Sequence, residues 1–331
     1  MVAGVVKAGR FAPLLVLAIL VCTLAAAVEH FVPADAGLTI NRAMAVNAAK
    51  VRTGTSEYPR TAVDSDSFVV HVARPARRIV SQYWSIDEYV YSVVSPERVV
   101  AVSESAYLAN ISNVSREVQK FHPAIATDPE RVLRLDPDLL LVSNGSRADF
   151  CALVRSTQIP IYRVFTTFTT LAQVAETIRL TGYLTGQDQA ATDEVNRFWS
   201  EIQRAKDHRR PGAKSPRVLG FSGHSSYGTE TLFDDIVRAL GGVNVGAEAG
   251  LKGYDAINTE QIVHWNPEWI ISGADHGKAT QVLATLLADP AIAVTQAARD
   301  GHILVFDFNV FLPTSPFTTL LVNAMAEAIY D

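Results

Sequence analysis

Apolar and polar positions along this chain follow helical and strand periods by turns, and one arrangement of them occurs twice. Residues 127–141 read TDPERVLRLDPDLLL and residues 258–271 read NTEQIVHWNPEWII, so that Asn258 repeats the position of Asp128 130 residues later. Each copy opens with a helix-capping residue, carries a Glu or Gln able to reach back to the free amides, and sets apolar residues at helical spacing. Each then meets a proline, Pro137 or Pro267, whose ring disfavours helical backbone in the residue before it. A short apolar run follows, as expected of a strand covered on both faces in a parallel sheet. Two such units predict two similar α/β lobes.

Further strands are predicted at 78–81, 99–102, 139–142 and 161–164 in the first lobe, and at 217–221, 269–272 and 302–306 in the second. Between the lobes, Leu171, Val174, Ile178, Val195, Phe198, Trp199 and Ile202 keep helical spacing, with a break marked by Gly182 and Gly186. A long helical connection is far stiffer than a loop, so it predicts lobes that move little against each other and a largely preformed cleft. The expected organisation is an N-terminal α/β lobe over 58–168, an inter-lobe helical segment over 169–210 and a C-terminal α/β lobe over 211–331.

The chain of 331 residues is long enough for two cores, and 48% hydrophobic content supplies them. Its net charge of -5 and the absence of a Lys/Arg cluster argue against a nucleic-acid partner. Lys7 and Arg10 precede an apolar run over 11–27 that ends in Ala25, Ala26 and Ala27, the pattern of a cleavable secretory signal peptide at 1–27. A retained membrane anchor is the alternative, since the run approaches spanning length. Lipoprotein processing at Cys22 is disfavoured by the bulky Leu20 and Val21 before it. Once the signal is removed one thiol, Cys151, is left, so no intrachain disulfide forms. Residues 28–57 lack clear periodicity and read as a leader or linker.

Residues 75–81 (PARRIVS), then 85–91, then 97–103 (ERVVAVS) resemble the opening of class III substrate-binding proteins. These serve ATP-binding-cassette importers of iron-siderophore complexes, haem and cobalamin. Residues 128–141, 181–186, 239–245 with a Gly-Gly-Val-Asn core, 258–271 and 301–307 follow the same family's pattern in order. The resemblance implies a periplasmic, two-lobed, monomeric receptor with a rigid inter-lobe helix. It would perform no chemistry and need no cofactor, carrying a metal chelate or corrinoid to a permease in the inner membrane. The family's Ser-Pro-Ser turn after the first strand is here Tyr83, Trp84, Ser85, which leaves the ligand open among ferric siderophores, haem and cobalamin. Glu88 falls where the family carries a glutamate that docks on permease arginines, and Glu230 or Asp234 is its expected second-lobe counterpart.

Ligands of parallel α/β sheets bind at the carboxyl ends of the strands. Those positions hold Tyr83, Trp84, Ser103, Tyr107, Asn144, Arg147, Phe165 and Phe168 in the first lobe. In the second they hold Phe221, Ser222, His224, Tyr227, Lys252, Tyr254, Asp275, His276, Asn309 and Phe311. The aromatic residues offer flat apolar faces to a large conjugated ligand, and Arg147 and Lys252 offer charge to its carboxylates. His224 and His276, with Asp275 or Tyr254, are placed to ligate a bare metal or the iron of haem; a bare metal would want ligands from both lobes, ordinary hydrogen bonding is the simpler role for both, and no resident metal site is expected. An enzyme reading competes: Gly220-Phe221-Ser222-Gly223-His224 approaches the nucleophile elbow, with His224 where the last glycine belongs. It would make the chain a secreted α/β hydrolase or transferase using Ser222, His224 and an acid such as Asp275. Gly223 to Gly228 also has P-loop spacing, but Thr229 and Glu230 stand where the lysine and hydroxyl residue should be.

Overall fold

Both repeated segments form the predicted elements, and they occupy equivalent places. In the computed structural model the described residues are 57–331, apart from 120–123 and 126–127, together with Met44, Asn47, Ala48 and Val51. The expected signal peptide and nearly all of the leader lie outside them. Asp128 caps the helix Pro129–Arg134 by accepting from the amides of Glu130 and Arg131. Asn258 and Gln261 close a capping box on the helix Thr259–Trp265.

The first lobe contains the antiparallel hairpin β1 (Arg60–Val63) and β2 (Val69–Val72). Its main sheet is formed by β3 (Ile79–Ser81), β4 (Val99–Ser103), β5 (Ala124–Ile125), β6 (Leu139–Ser143) and β7 (Ile161–Val164). The order is β5-β4-β3-β6-β7 and every pairing is parallel. The second lobe contains β8 (Arg217–Ser222), β9 (Ser225–Tyr227), β10 (Val243–Asn244), β11 (Tyr254–Ala256), β12 (Trp269–Ala274) and β13 (Ile303–Asp307). Its order is β11-β9-β8-β12-β13, with β10 alongside the start of β8. Here β8, β12 and β13 run parallel, while β9 and β11 pair antiparallel. β3-β6-β7 thus corresponds to β8-β12-β13, and the repeated segment delivers β6 and β12.

The acid after each proline secures this register. Asp138 accepts from the amides of Arg77 and Arg78, and its own amide donates to Arg78 O. Glu268 accepts from the Arg217 amide and donates its amide to Arg217 O. The Arg78 side chain then donates to the carbonyls of Leu135 and Asp136, and that of Arg217 to those of Trp265 and Asn266. Each arginine therefore satisfies carbonyls left free at a helix end and ties that helix to the strand it precedes.

Alternation across the pleat fills both faces of each sheet. Leu139 and Leu141 enter a core shared with the inter-lobe helices, whereas Leu140 and Val142 pack with Phe150, Cys151 and Val154 on the outer face. In the second lobe Ile271 faces the shared core and Ile270 the outer one. The inter-lobe segment is two helices, Leu171–Thr185 and Asp188–Asp207. Gly186 caps the first at φ 72°, and a Cβ on Gly182 would lie 2.3 Å from that of Ala191, so both glycines serve the turn. The second helix, about 30 Å long, packs on Trp84–Val93 and Leu171–Thr185 and, in the other lobe, on Thr318–Tyr330. Ala191, Val195, Phe198, Ile202 and Ala205 form its buried stripe, with Trp199 at the exposed edge. Arg60 fixes the hairpin to the helical turn: it lies between the rings of Tyr58 and Tyr183 and forms two hydrogen bonds with Asp188.

Asp138→Ala and Glu268→Ala should each lower stability by about 1–2 kcal/mol by freeing strand-edge amides. Glu130→Ala, at an exposed carboxylate, should stay within about 0.5 kcal/mol. Urea unfolding of the three variants measures the difference.

Candidate ligand-binding cleft

The loops leaving the carboxyl ends of the strands in the two lobes meet. Asn113, beyond β4, donates from Nδ2 to Asn309 O at 2.8 Å, and Asn309 Nδ2 returns a bond to Asn113 Oδ1 at 3.2 Å. Ser315 Oγ donates to Glu88 Oε2, and the Leu171 amide donates to Asp235 Oδ2. Segments that follow the strands of the two lobes are therefore in direct contact.

The predicted site residues divide between these strand-end loops and the cores. Tyr83 and Trp84 open the helix Trp84–Val93 directly after β3; they are half-buried, with ring centroids 5.8 Å apart. Tyr107 is half-buried after β4. Asn144 is committed to its own lobe, accepting from the Thr166 amide and hydroxyl. Arg147 is exposed and paired with Asp149. Phe168 is a correction: at 1% exposure it packs edge-on against Tyr89 and Phe165 and belongs to the core. Phe221 is likewise an outer-core residue. Tyr227 and Phe311 are buried in a cluster with Phe233, so they support the wall instead of forming its surface. Tyr254, 38% exposed with its ring 5.3 Å from that of Tyr227, carries the cluster to solvent. Lys252 is paired with Glu230 at 3.1 Å.

The enzyme-like segment has a different geometry from a nucleophile elbow. Phe221 pairs with Ser226 and Ser222 with Ser225, making β8 and β9 a hairpin. Gly223 and His224 are its two central residues, at φ 57° and 74°. Positive φ at both positions is what a two-residue hairpin turn requires. An elbow needs strand, sharp turn and helix, so His224 is an exposed turn residue and Ser222 a strand residue. His276 also lies on a strand-end loop, with Nδ1 2.7 Å from Asp307 Oδ2. Among the described residues no group of three His, Cys, Asp or Glu side chains is placed to hold a metal ion.

Comparison with known proteins accords with this arrangement. The family described as Periplasmic binding protein matches residues 79–310. The chain belongs to that family. It is 25% identical over 329 residues to a cobalamin-binding protein of Halobacterium salinarum, covering 98% of this chain and 85% of the relative. It is 23% identical over 303 residues to an uncharacterized ABC transporter substrate-binding lipoprotein of Bacillus subtilis, covering 85% and 89%. The fold matches that of the periplasmic heme-binding protein RhuT from Roseiflexus sp. RS-1 with a TM-score of 0.65 at 22% identity, over 77% of this chain and 98% of that one.

In this periplasmic binding protein Glu88, which the resemblance implies docks on permease arginines, is not exposed. It is fully buried, because the 309–315 segment of the second lobe closes over the helix that bears it. Its Oε1 accepts from the Asn113 amide at 2.7 Å and Asn113 Nδ2 at 3.0 Å, while Oε2 takes the Ser315 hydroxyl. Burial outweighs these donors and pushes its pKa up to about 7. Neighbouring Asp87, held by Ser103, is pushed up to about 8 by burial as well. Asp234 is also buried, with Asn244 and Arg238 as partners, which leaves Glu230 as the exposed carboxylate of the pair expected in the second lobe. Neither the inward role of Glu88 nor that of Asn113 and Ser315 was legible locally, since each depends on the other lobe.

A carboxyl whose folded pKa lies above its unfolded value binds its proton more tightly when folded. Its contribution is full below the unfolded value and is lost as pH rises through the folded one. Stability should therefore fall from pH 5 to 8. Glu88→Gln should flatten that decline by about 2–3 kcal/mol in urea titrations across the range; an unchanged slope would place the titration elsewhere.

Proposed function

We propose that this chain is the extracytoplasmic solute-binding component of an ABC importer and that its cargo is a corrinoid. The carrying observation is the aromatic surface on both sides of the facing strand ends: Tyr83 and Trp84 from one lobe, Tyr254 backed by Tyr227 and Phe311 from the other. Flat rings with polar edges suit a broad, largely apolar macrocycle that carries polar side arms. The similarity to a cobalamin-binding protein over nearly the whole chain favours a corrinoid over haem or a ferric siderophore. The relative named as an ABC transporter substrate-binding lipoprotein supports delivery to a membrane permease. The protein acts as a monomer without turnover: it captures cargo between the lobes and presents it, with exposed Glu230 in the contact with the permease. Glu88 serves the lobe seam instead.

Cyanocobalamin titrated into the purified protein should quench tryptophan fluorescence with one-to-one stoichiometry. Trp84→Ala and Tyr254→Ala should each weaken binding about tenfold, the loss of one aromatic contact. Haemin and a ferric siderophore serve as competitors, and preferential binding of either would overturn the corrinoid assignment.

Glu230→Ala should leave the dissociation constant unchanged and reduce uptake in cells that carry the permease. Full uptake by the variant would remove Glu230 from the permease contact.

A further inference from the structure

β12 and β13 are adjacent and parallel, with Ala274 opposite Asp307. That register brings a histidine just past the end of one strand to the carboxylate that ends the other. His276 Nδ1 lies 2.7 Å from Asp307 Oδ2, and the Gly277 amide donates to Asp307 Oδ1 at 3.3 Å, so both carboxylate oxygens are engaged. An ionised carboxylate only accepts, which puts a proton on Nδ1, so that in the neutral form of the ring the lone pair is on Nε2. The His276 side chain is 66% exposed while Asp307 is mostly covered, so the ring is held from beneath and open above. Asp275 turns to Lys278 at 3.6 Å and does not compete. Two residues beyond Asp307, Asn309 bonds to Asn113 of the first lobe, which places the imidazole on the side of the second lobe that faces the cleft.

A neutral imidazole fixed by a carboxylate on its other nitrogen is the arrangement that orients metal-ligating histidines and strengthens them as donors. A single such donor suits a metal whose other positions are already filled by a chelating ring. We propose that His276, positioned by Asp307, ligates the cobalt of the bound corrinoid at its exchangeable axial site. This rests on the corrinoid reading above. The Nε2 lone pair forms a Co–N bond as the Co–O bond to an axial water breaks and the water leaves intact. Cobalt keeps its oxidation state, no proton is transferred, and Asp307 retains the Nδ1 hydrogen bond while the ring gains positive character.

The test compares aquocobalamin, which has an exchangeable axial water, with cyanocobalamin, whose axial cyanide resists displacement. Both are titrated into the full-length secreted protein and followed by visible absorption. Bound aquocobalamin should take on the spectrum it shows with free imidazole, at one equivalent, and should bind at least tenfold more tightly than cyanocobalamin. His276→Ala should still bind cyanocobalamin, showing that it is folded, but should give no spectral change and lose the tenfold preference. Asp307→Ala should weaken the spectral change without altering cyanocobalamin binding, and Asp307→Asn, which keeps an acceptor for Nδ1–H, should restore part of it. Aquocobalamin bound with an unaltered spectrum, or a change that persists in His276→Ala, would overturn the ligation while leaving the corrinoid reading intact. Failure of both cobalamins to bind would overturn the two together.

Discussion

The burial of one helix between two lobes is the constraint on which the rest of this molecule depends. Phe198, Ile202 and their neighbours on Asp188–Asp207 share a continuous apolar core with Ile79 and Leu139 of the first sheet and with Val218 and Ile271 of the second. A core at crystal-like density does not deform gradually, and separating the lobes along that helix would expose it to water. That shared core ties the two sheets to the helix. On the cleft side the lobes are joined by the polar contacts of Asn113, Asn309, Glu88 and Ser315. Each such bond exchanges with water at a net cost of about 1 kcal/mol, so the seam near the ligand is far easier to open than the core behind it.

That asymmetry gives the fold its use. A receptor must admit cargo and release it to a permease, yet hold its binding surfaces in fixed relation. The apolar hinge side supplies the fixed relation and the polar side supplies the opening. Glu88 links the two properties: it belongs to the helix packed against the hinge, and its carboxylate collects donors from both lobes. Its burial there raises its pKa.

The parts of this architecture set by local chemistry were legible in the amino-acid sequence. All seven predicted strands are present, because β6 and β12 carry apolar residues on both faces and their helices carry unmistakable caps. The small strands β9, β10 and β11 were not, since two or three residues such as Val243 and Asn244 hold no periodicity and exist through pairing with β8 and β9. The strand-end loops were legible as locations, and the surroundings of their side chains less so. Phe168 and Phe311 follow strands as ligand-binding aromatics do, and Phe221 lies near the end of one, but their burial is decided by what packs over them. The burial of Glu88 was not legible, because it depends on Ser315, 227 residues along the chain in the other lobe. Asp307 was visible as the end of a strand motif, while its bond to His276 needs the β12–β13 register, which no local signal carries.

A crystal structure of the protein grown with cyanocobalamin tests the central claim most directly. The corrin ring should lie between the strand ends of the two lobes, against Trp84 on one side and Tyr254 on the other, with the Asp188–Asp207 helix unmoved. A corrinoid bound outside that cleft, or a cleft that remains empty at saturating ligand, would contradict it.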